Sequence, residues 1–354
     1  MSLFSSPAFE GHEAVHVFSD QASGLRVIIA IHSTARGPAA GGCRMFAYPD
    51  DQAALDDALR LSRAMSNKNA VADLDLGGGK AVILGDPRAL KSGALFEAFG
   101  RCVDAVGGRY WSAEDVGVSP ADLAHTRKTT RFVAGLEGGA AASGDPSPVT
   151  AEGVKRGIEL CVRRVLERGL DGVTVAIQGV GHVGAYLADK LAAAGAKLII
   201  TDVDGEAAQV VAARTGAMVV APGEIFDVDA EVFAPCAMGG AISADTLGRL
   251  KVRIVAGGAN NQLANAHAGA LMQQRGILYA PDFAINGGGI INVAGEIRAL
   301  QRGEAFDPAW VEAKLGRLME TLDEVLDRAE AEGRPPHEVA VAIAEARIAA
   351  AKPA

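Results

Sequence analysis

Cysteine is scarce and dispersed: Cys43, Cys102, Cys161 and Cys236 lie far apart and form no CxxC pair. That spacing argues against structural zinc and for the reduced thiols of a cytoplasmic protein. The seven histidines are scattered too; His12 and His16 stand at i, i+4 without a third ligand nearby, so no metal is expected. No run approaches the ~20 apolar residues of a membrane span. The opening MSLFSSPAFEGHEAV lacks the basic-then-apolar order of a secretory signal. Basic residues form no blocks in a chain of net charge -9, which argues against nucleic acid and for a small-molecule ligand.

What is present is length, apolar content and clustered glycine. At 354 residues and 49% hydrophobic content the chain suits two domains, each with its own core. The 43 glycines gather in a few places, which are read as sites. One is Asn67–Lys80, NKNAVADLDLGGGK, with two lysines in an apolar run. A lysine in dry surroundings beside another cation loses proton affinity, so one of Lys68 and Lys80 is a candidate neutral base while the other stays charged. Gly77-Gly78-Gly79 would let a substrate approach the backbone. The alternative is a surface lysine at a helix end and a glycine turn into a strand, Ala81–Leu84. In GPAAGGCR, residues 37–44, Gly37, Gly41 and Gly42 leave backbone N–H groups that could hold a carboxylate, or else form a flexible connection between strands.

Along the chain, residues 13–33 read as two β-runs joined at Ser23-Gly24. An amphipathic helix follows from Asp50-Asp51, with Lys68 just past its end, and a second carries Leu95, Phe96, Phe99, Val103 and Val106. In RYWSAEDVG, Asp115 sits at a strand end, a common place for a functional carboxylate. It could instead cap the next helix, although Ser119 suits that role better. Gly135–Ser147 reads as a hinge.

A strand at Val173–Ile177 then enters Gly179-x-Gly181-x-x-Gly184, followed by a helix and a second strand ending in Asp202. Strand, glycines, helix and an acid ~20 residues on complete the dinucleotide fingerprint, with pyrophosphate at the helix N-terminus. Asp202 would accept from the adenosine ribose and repel a 2′-phosphate, favouring NAD. Continued alternation of strands and helices argues for a doubly wound parallel sheet. Two loops after β-runs, one from Cys236 and Ala237 to Gly240 and one from Gly257 to Asn261, fall where such sheets bind ligands. Asn260 and Asn261 could bond an amide or amino group there, or cap a turn.

With GPAAGGCR, NKNAVADLDLGGGK, SAEDVG, GDPSPVT, the fingerprint, APCAMGG, GGANNQL and NGGGIINVAGE in this order, the chain resembles the glutamate/leucine/phenylalanine/valine dehydrogenases, above all the leucine and phenylalanine branch. The likeness runs densely from Gly37 to Glu296. It implies an α/β fold of two domains flanking a cleft: residues 1–135, completed by C-terminal helices from about 330 to 354, a hinge at 136–147, and a Rossmann-type domain at 148–329. It implies NAD-dependent, reversible oxidative deamination of an apolar L-amino acid.

By the same resemblance, Lys68 meets the substrate carboxylate, with Gly41 and Gly42 beside it. Lys80 activates water as general base, and Asp115 exchanges protons with the amino group. Ser147 and Thr150 would lie at the nicotinamide or its ribose, Gly179, Val180, Gly181, His182, Val183 and Gly184 at the pyrophosphate, and Asn261 between nicotinamide and substrate. Ala40, Ala113, Ile291 and Ala294 match the side-chain pocket; all are apolar, which disfavours glutamate. The small Ala40 and Ala294 would enlarge the pocket toward aromatic substrates, but such changes shift discrimination by only ~1–3 kcal/mol each. Aliphatic and aromatic substrates both stay open. A homo-oligomer of two or eight subunits is implied. The competing classes are a non-catalytic NAD-binding regulatory protein and a hydroxy-acid dehydrogenase; the latter needs a His-acid pair, and His182 lies inside the fingerprint turn.

Overall fold

The computed structural model describes residues 3–237 and 239–351. It divides into two compact units. The first takes the chain up to Asp145, Ile290–Val311 and the chain from Ala344; the second takes Pro146–Gly289 and Glu312–Ile343. This differs from the expected division. Residues 290–311 join the first unit, and most of the stretch from 330 joins the second. The reason is that two helices, Pro308–Glu332 and Pro336–Ala350, each contribute to both units, and no break in composition marks the crossing.

The first unit holds a sheet of β1 (Ala14–Asp20), β2 (Leu25–Ser33), β3 (Ala39–Phe46), β4 (Gly77–Leu84) and β5 (Tyr110–Ala113), in the order β1-β2-β4-β3-β5. β1 and β2 form the expected antiparallel hairpin, whereas β3 runs parallel to both β4 and β5. β2 and β4 are covered on both faces, which explains their near-continuous apolar runs. On one face Ile28, Val82 and Leu84 pack with Ala54, Ala58 and Leu59 of the helix Asp51–Val71. On the other, Ile29, Cys43 and Ile83 pack with Leu95, Phe96 and Phe99 of the helix Gly93–Ala105.

The glycine-rich segments are strand, not loop. Gly41 and Gly42 belong to β3, and Gly77-Gly78-Gly79 open β4. A Cβ on Gly78 would stand 2.2 Å from both the nitrogen and the Oγ of Ser66, and one on Gly77 1.9 Å from the Ser33 carbonyl oxygen. The triad thus admits the protein's own helix and neighbouring strand against β4, rather than forming a turn or leaving room for a substrate. Lys68 also differs from expectation, lying within the last turn of Asp51–Val71.

The second unit carries β6 (Thr174–Gln178), β7 (Lys197–Thr201), β8 (Met218–Val219), β9 (Val232–Pro235), β10 (Ile254–Val255) and β11 (Leu278–Tyr279). Their order is β11-β10-β9-β6-β7-β8, with every neighbouring pair parallel. This is the doubly wound Rossmann-type arrangement read from the sequence. The order reverses between β6 and β9, the switch point beyond whose carboxyl ends ligands bind in such sheets.

Candidate functional site

Three strands and one helix of the first unit assemble a cluster of charges. Side chains alternate along β4, so Lys80 shares the helix-facing side of the sheet with Val82. Lys80 is 5% exposed, and its ammonium donates to Oδ2 of Asp115, two residues beyond β5. The same oxygen accepts Nε of Arg44, from β3, at 3.2 Å. Nη1 of Arg44 reaches Oδ2 of Asp57 on the helix at 3.0 Å, and the Tyr48 hydroxyl donates to that oxygen at 2.6 Å. Burial alone would raise the Asp115 pKa, but Lys80 and Arg44 outweigh it and hold the carboxyl below its ordinary range. Asp57 is held low in the same way: Tyr48, Arg44 and Arg60 overcome its burial.

Gly42 makes this approach possible, since a Cβ there would fall 2.8 Å from Cβ of Asp115. Gly41 serves the helix: its missing side chain would meet the Gly79 carbonyl oxygen at 1.9 Å and Cγ of Met65 at 3.0 Å. Lys68 lies one turn after Met65 on the half-buried flank of that helix. Its turn is fixed from two sides. Asn69 Nδ2 donates to the Gly77 carbonyl at 2.6 Å, and Nη1 of Arg347 donates to the carbonyls of Ala70 and Val71, both at 3.1 Å. Arg347 thereby satisfies the Val71 carbonyl and adds a donor to that of Ala70, which also accepts the Asp73 N–H at 3.1 Å.

The four expected pocket positions all fall in the first unit and are buried. Ala40 and Ala113 stand on the adjacent strands β3 and β5, paired with Trp111 and Gly42 respectively. Ile291 and Ala294 lie on the helix Gly288–Arg302. That helix is tied down by Glu296, which is 1% exposed. Its carboxylate accepts the N–H groups of Gly135, Leu136 and Ser143 and the Ser143 hydroxyl at 2.7–3.3 Å.

In the second unit the fingerprint glycines have three separate reasons. Gly179 has φ 95°, the left-handed region, and a Cβ there would stand 2.8 Å from the Ala237 nitrogen. Gly184 lets its helix close onto the turn, with 2.0 Å to the Gly179 carbonyl oxygen. Gly181 meets nothing within 4 Å and opens the helix His182–Ala193, which has no side-chain cap. An uncapped helix N-terminus under an open glycine suits a pyrophosphate, so these residues fit a dinucleotide. Asp202 accepts the Val180 N–H at 2.7 Å through Oδ2 and the Asp204 N–H at 3.0 Å through Oδ1.

Both candidate loops reach this turn. Cys236 donates its N–H to the Gln178 carbonyl at 2.7 Å, and burial pushes its thiol up to about 11. Met238 of that loop lies outside the described residues. Gly258 packs against Val183 and donates to Sγ of Cys236 at 3.4 Å. Asn260 and Asn261 are exposed, and Asn261 has φ 51°. Ser147 and Thr150 open the helix Ser147–Leu166, with Thr150 beside Gly289.

Sequence reading missed the residues that hold these loops. Asn286 donates to Oδ1 of Asn260 at 2.8 Å, and Gln262 to the carbonyls of Gly257 and Ala259 at 2.8 and 3.0 Å. It missed Arg44, Asp57 and Glu296 as well. The one available signal was polar residues set among apolar ones with no surface to face.

Two family models match: Glu/Leu/Phe/Val dehydrogenase, dimerisation domain, over residues 12–132, and Glutamate/Leucine/Phenylalanine/Valine dehydrogenase over residues 200–354. A leucine dehydrogenase from Thermoactinomyces intermedius is 43% identical, covering 98% of this chain and 94% of the relative. A phenylalanine dehydrogenase from Bacillus thermotolerans is 40% identical, covering 96% and 89%. Among solved structures, an L-tryptophan dehydrogenase from Nostoc punctiforme superposes with a TM-score of 0.83 at 38% identity, covering 96% of each chain.

Proposed function

This chain belongs to the glutamate/leucine/phenylalanine/valine dehydrogenase family, and from that premise we propose that it catalyses the reversible, NAD-dependent oxidative deamination of an apolar L-amino acid. Amino acid, water and NAD give the 2-oxo acid, ammonium, NADH and a proton. The observation that carries the reading is the buried meeting of Lys80, Asp115 and Arg44 on one sheet face, in a chain that also holds the complete fingerprint. A non-catalytic binding protein has no use for a buried lysine paired with a carboxylate at such a place.

NAD, when bound, accepts the hydride that leaves the substrate Cα. The protein's own residues do the rest. Lys68 holds the substrate carboxylate by its charge, which fixes Cα relative to the sheet. Lys80 reacts as the neutral amine, its ammonium proton released to solvent: it draws a proton from the water that attacks Cα after the hydride has left, and Asp115 carries protons to and from the nitrogen that leaves. Glycine loop, Asp202 and the helix His182–Ala193 hold the dinucleotide; Ser147, Thr150, Cys236, Ala237, Asn260 and Asn261 frame it.

Ala40, Ala113, Ile291 and Ala294 offer an amino-acid side chain only carbon, so glutamate is disfavoured. The named relatives act on leucine, phenylalanine and tryptophan, consistent with an apolar substrate whose size the alanines leave open. A subunit assembly accords with the matched dimerisation domain. Initial rates with leucine, valine, phenylalanine, tryptophan and glutamate, each with NAD and NADP, test the proposal. Glutamate as best substrate, or a preference for NADP, overturns it.

A further inference from the structure

Asp115 has two cationic partners where a proton carrier needs one. Lys80 is the partner expected to turn toward water during the reaction. Arg44 stays behind. We propose that Arg44 is a positioning residue for this chemistry, a fork whose two arms fix Asp115 against Lys80 by anchoring it to Asp57. The inference rests on reading Asp115 as the proton carrier.

The geometry suits arginine specifically. Nε takes Oδ2 of Asp115 at 3.2 Å while Nη1 takes Oδ2 of Asp57 at 3.0 Å, so one rigid plane spans a carboxylate after β5 and another on the helix. Asp57 is itself held by the Tyr48 hydroxyl at 2.6 Å and by Arg60. Three segments, the turn after β5, the helix and the residues between β3 and the helix, therefore determine where Arg44 sits. A lysine could supply the charge but not the two divergent arms.

The groups facing Asp115 are few. Lys80 comes from β4 and Arg44 from β3, with the Val116 N–H beside them and Asp57 of the helix sharing Arg44; the Cys43 thiol and Tyr110 pack on the opposite face of the sheet. Burial raises the pKa of both Cys43 and Tyr110, which stay neutral. Lys80 and Arg44 are thus the charges that set the carboxylate. When Lys80 engages water, Arg44 is what keeps Asp115 ionised and in place.

The test compares Arg44→Met, Arg44→Lys and Asp115→Asn by the pH dependence of kcat/KM for L-leucine and L-phenylalanine with NAD. In Arg44→Met the acidic limb moves to higher pH by about one unit and kcat falls roughly tenfold or more. In Arg44→Lys the limb stays near its original place while kcat still falls with little change in KM, because the charge remains and the bridge is gone. A merely structural role would lower thermal stability and leave the limb where it was. Should Arg44→Met fail to fold, Arg44→Lys decides: original kcat and limb overturn the proposal. An inactive Asp115→Asn beside an unshifted Arg44→Met profile overturns the role of Arg44 alone. Full turnover by Asp115→Asn overturns the reading of Asp115, and this proposal with it.

Discussion

The buried ammonium of Lys80 and the carboxylate of Asp115 are directly paired, although they come from a strand and a loop 35 residues apart. Lys80→Ala breaks that pair but leaves Arg44 on the same oxygen, so the carboxylate is not stranded. We expect kcat to fall by ~10²–10⁴-fold, the usual reach of general acid–base catalysis, with NAD binding unchanged. Steady-state rates and cofactor titration measure both. Unchanged turnover would remove Lys80 from the mechanism.

Gly78 tests why the glycine triad exists. An alanine there drives its Cβ into the Ser66 backbone and the Ser62 carbonyl oxygen, forcing the helix Asp51–Val71 off the sheet. Overpacking of this kind costs about 1–3 kcal/mol, and more where backbone is the obstacle. Gly205→Ala, in open space at a helix start, should be neutral or slightly stabilising. Denaturant midpoints of the two variants give the comparison.

Glu296 is a buried carboxylate with four hydrogen bonds from one short segment. Glu296→Ala removes the acceptor and leaves those N–H groups without it, at a cost of about 1–3 kcal/mol per stranded group at most. Glu296→Gln keeps one acceptor oxygen and should lose less. Both variants should be cut faster by protease between 136 and 143, whose Gly138–Ala140 stretch is exposed. Equal resistance to cleavage would contradict the role.

His12 and His32 make stability depend on pH. Their rings stand 4.9 Å apart; Nε2 of His12 lies 3.0 Å from Oγ of Ser62, and Nδ1 of His32 2.7 Å from Oγ of Ser66. Burial lowers both, and with His12 and Arg63 adding to it His32 falls to about 4. Between the ordinary histidine value and about 4 the unfolded chain binds more protons than the folded one. Stability is therefore complete above about pH 6.5 and declines as pH falls toward 4. The slope of Tm against pH over that window should be shallower in His32→Gln.

In the proposed function, Asp202 sets the choice of cofactor. Asp202→Asn retains an oxygen for the Val180 N–H and removes the charge that would oppose a 2′-phosphate. The ratio of kcat/KM for NADP over NAD should rise by about tenfold or more. An unchanged ratio would mean that another group discriminates.

Local pattern made much of this legible: the hairpin, the amphipathic helices and the fingerprint each repeat at their own period over enough residues to be read. The glycines of β3 and β4 were harder. Glycine weakens strand propensity, so GPAAGGCR and LGGGK look like loops until the helix and strands that press on them are known. Asn286 and Glu296 hold loops distant in sequence, and nothing near them announces the partner. Lys80 and Asp115 could be singled out, but Arg44 as the link to Asp57 emerges only when three strands stand side by side.

The end of the helix bearing Lys68 is closed by Arg347, nearly 280 residues downstream. Synthesis runs in the other direction. The first unit can assemble its five strands early, and the N–H groups of Ala72, Asp73 and Leu74 close the helix end locally, yet the Val71 carbonyl waits for Arg347 until the chain beyond Ala344 has been made. The last brace on that turn thus arrives late in synthesis, and a chain stopped before Arg347 should retain the sheet and its charge cluster while holding the turn of Lys68 less firmly.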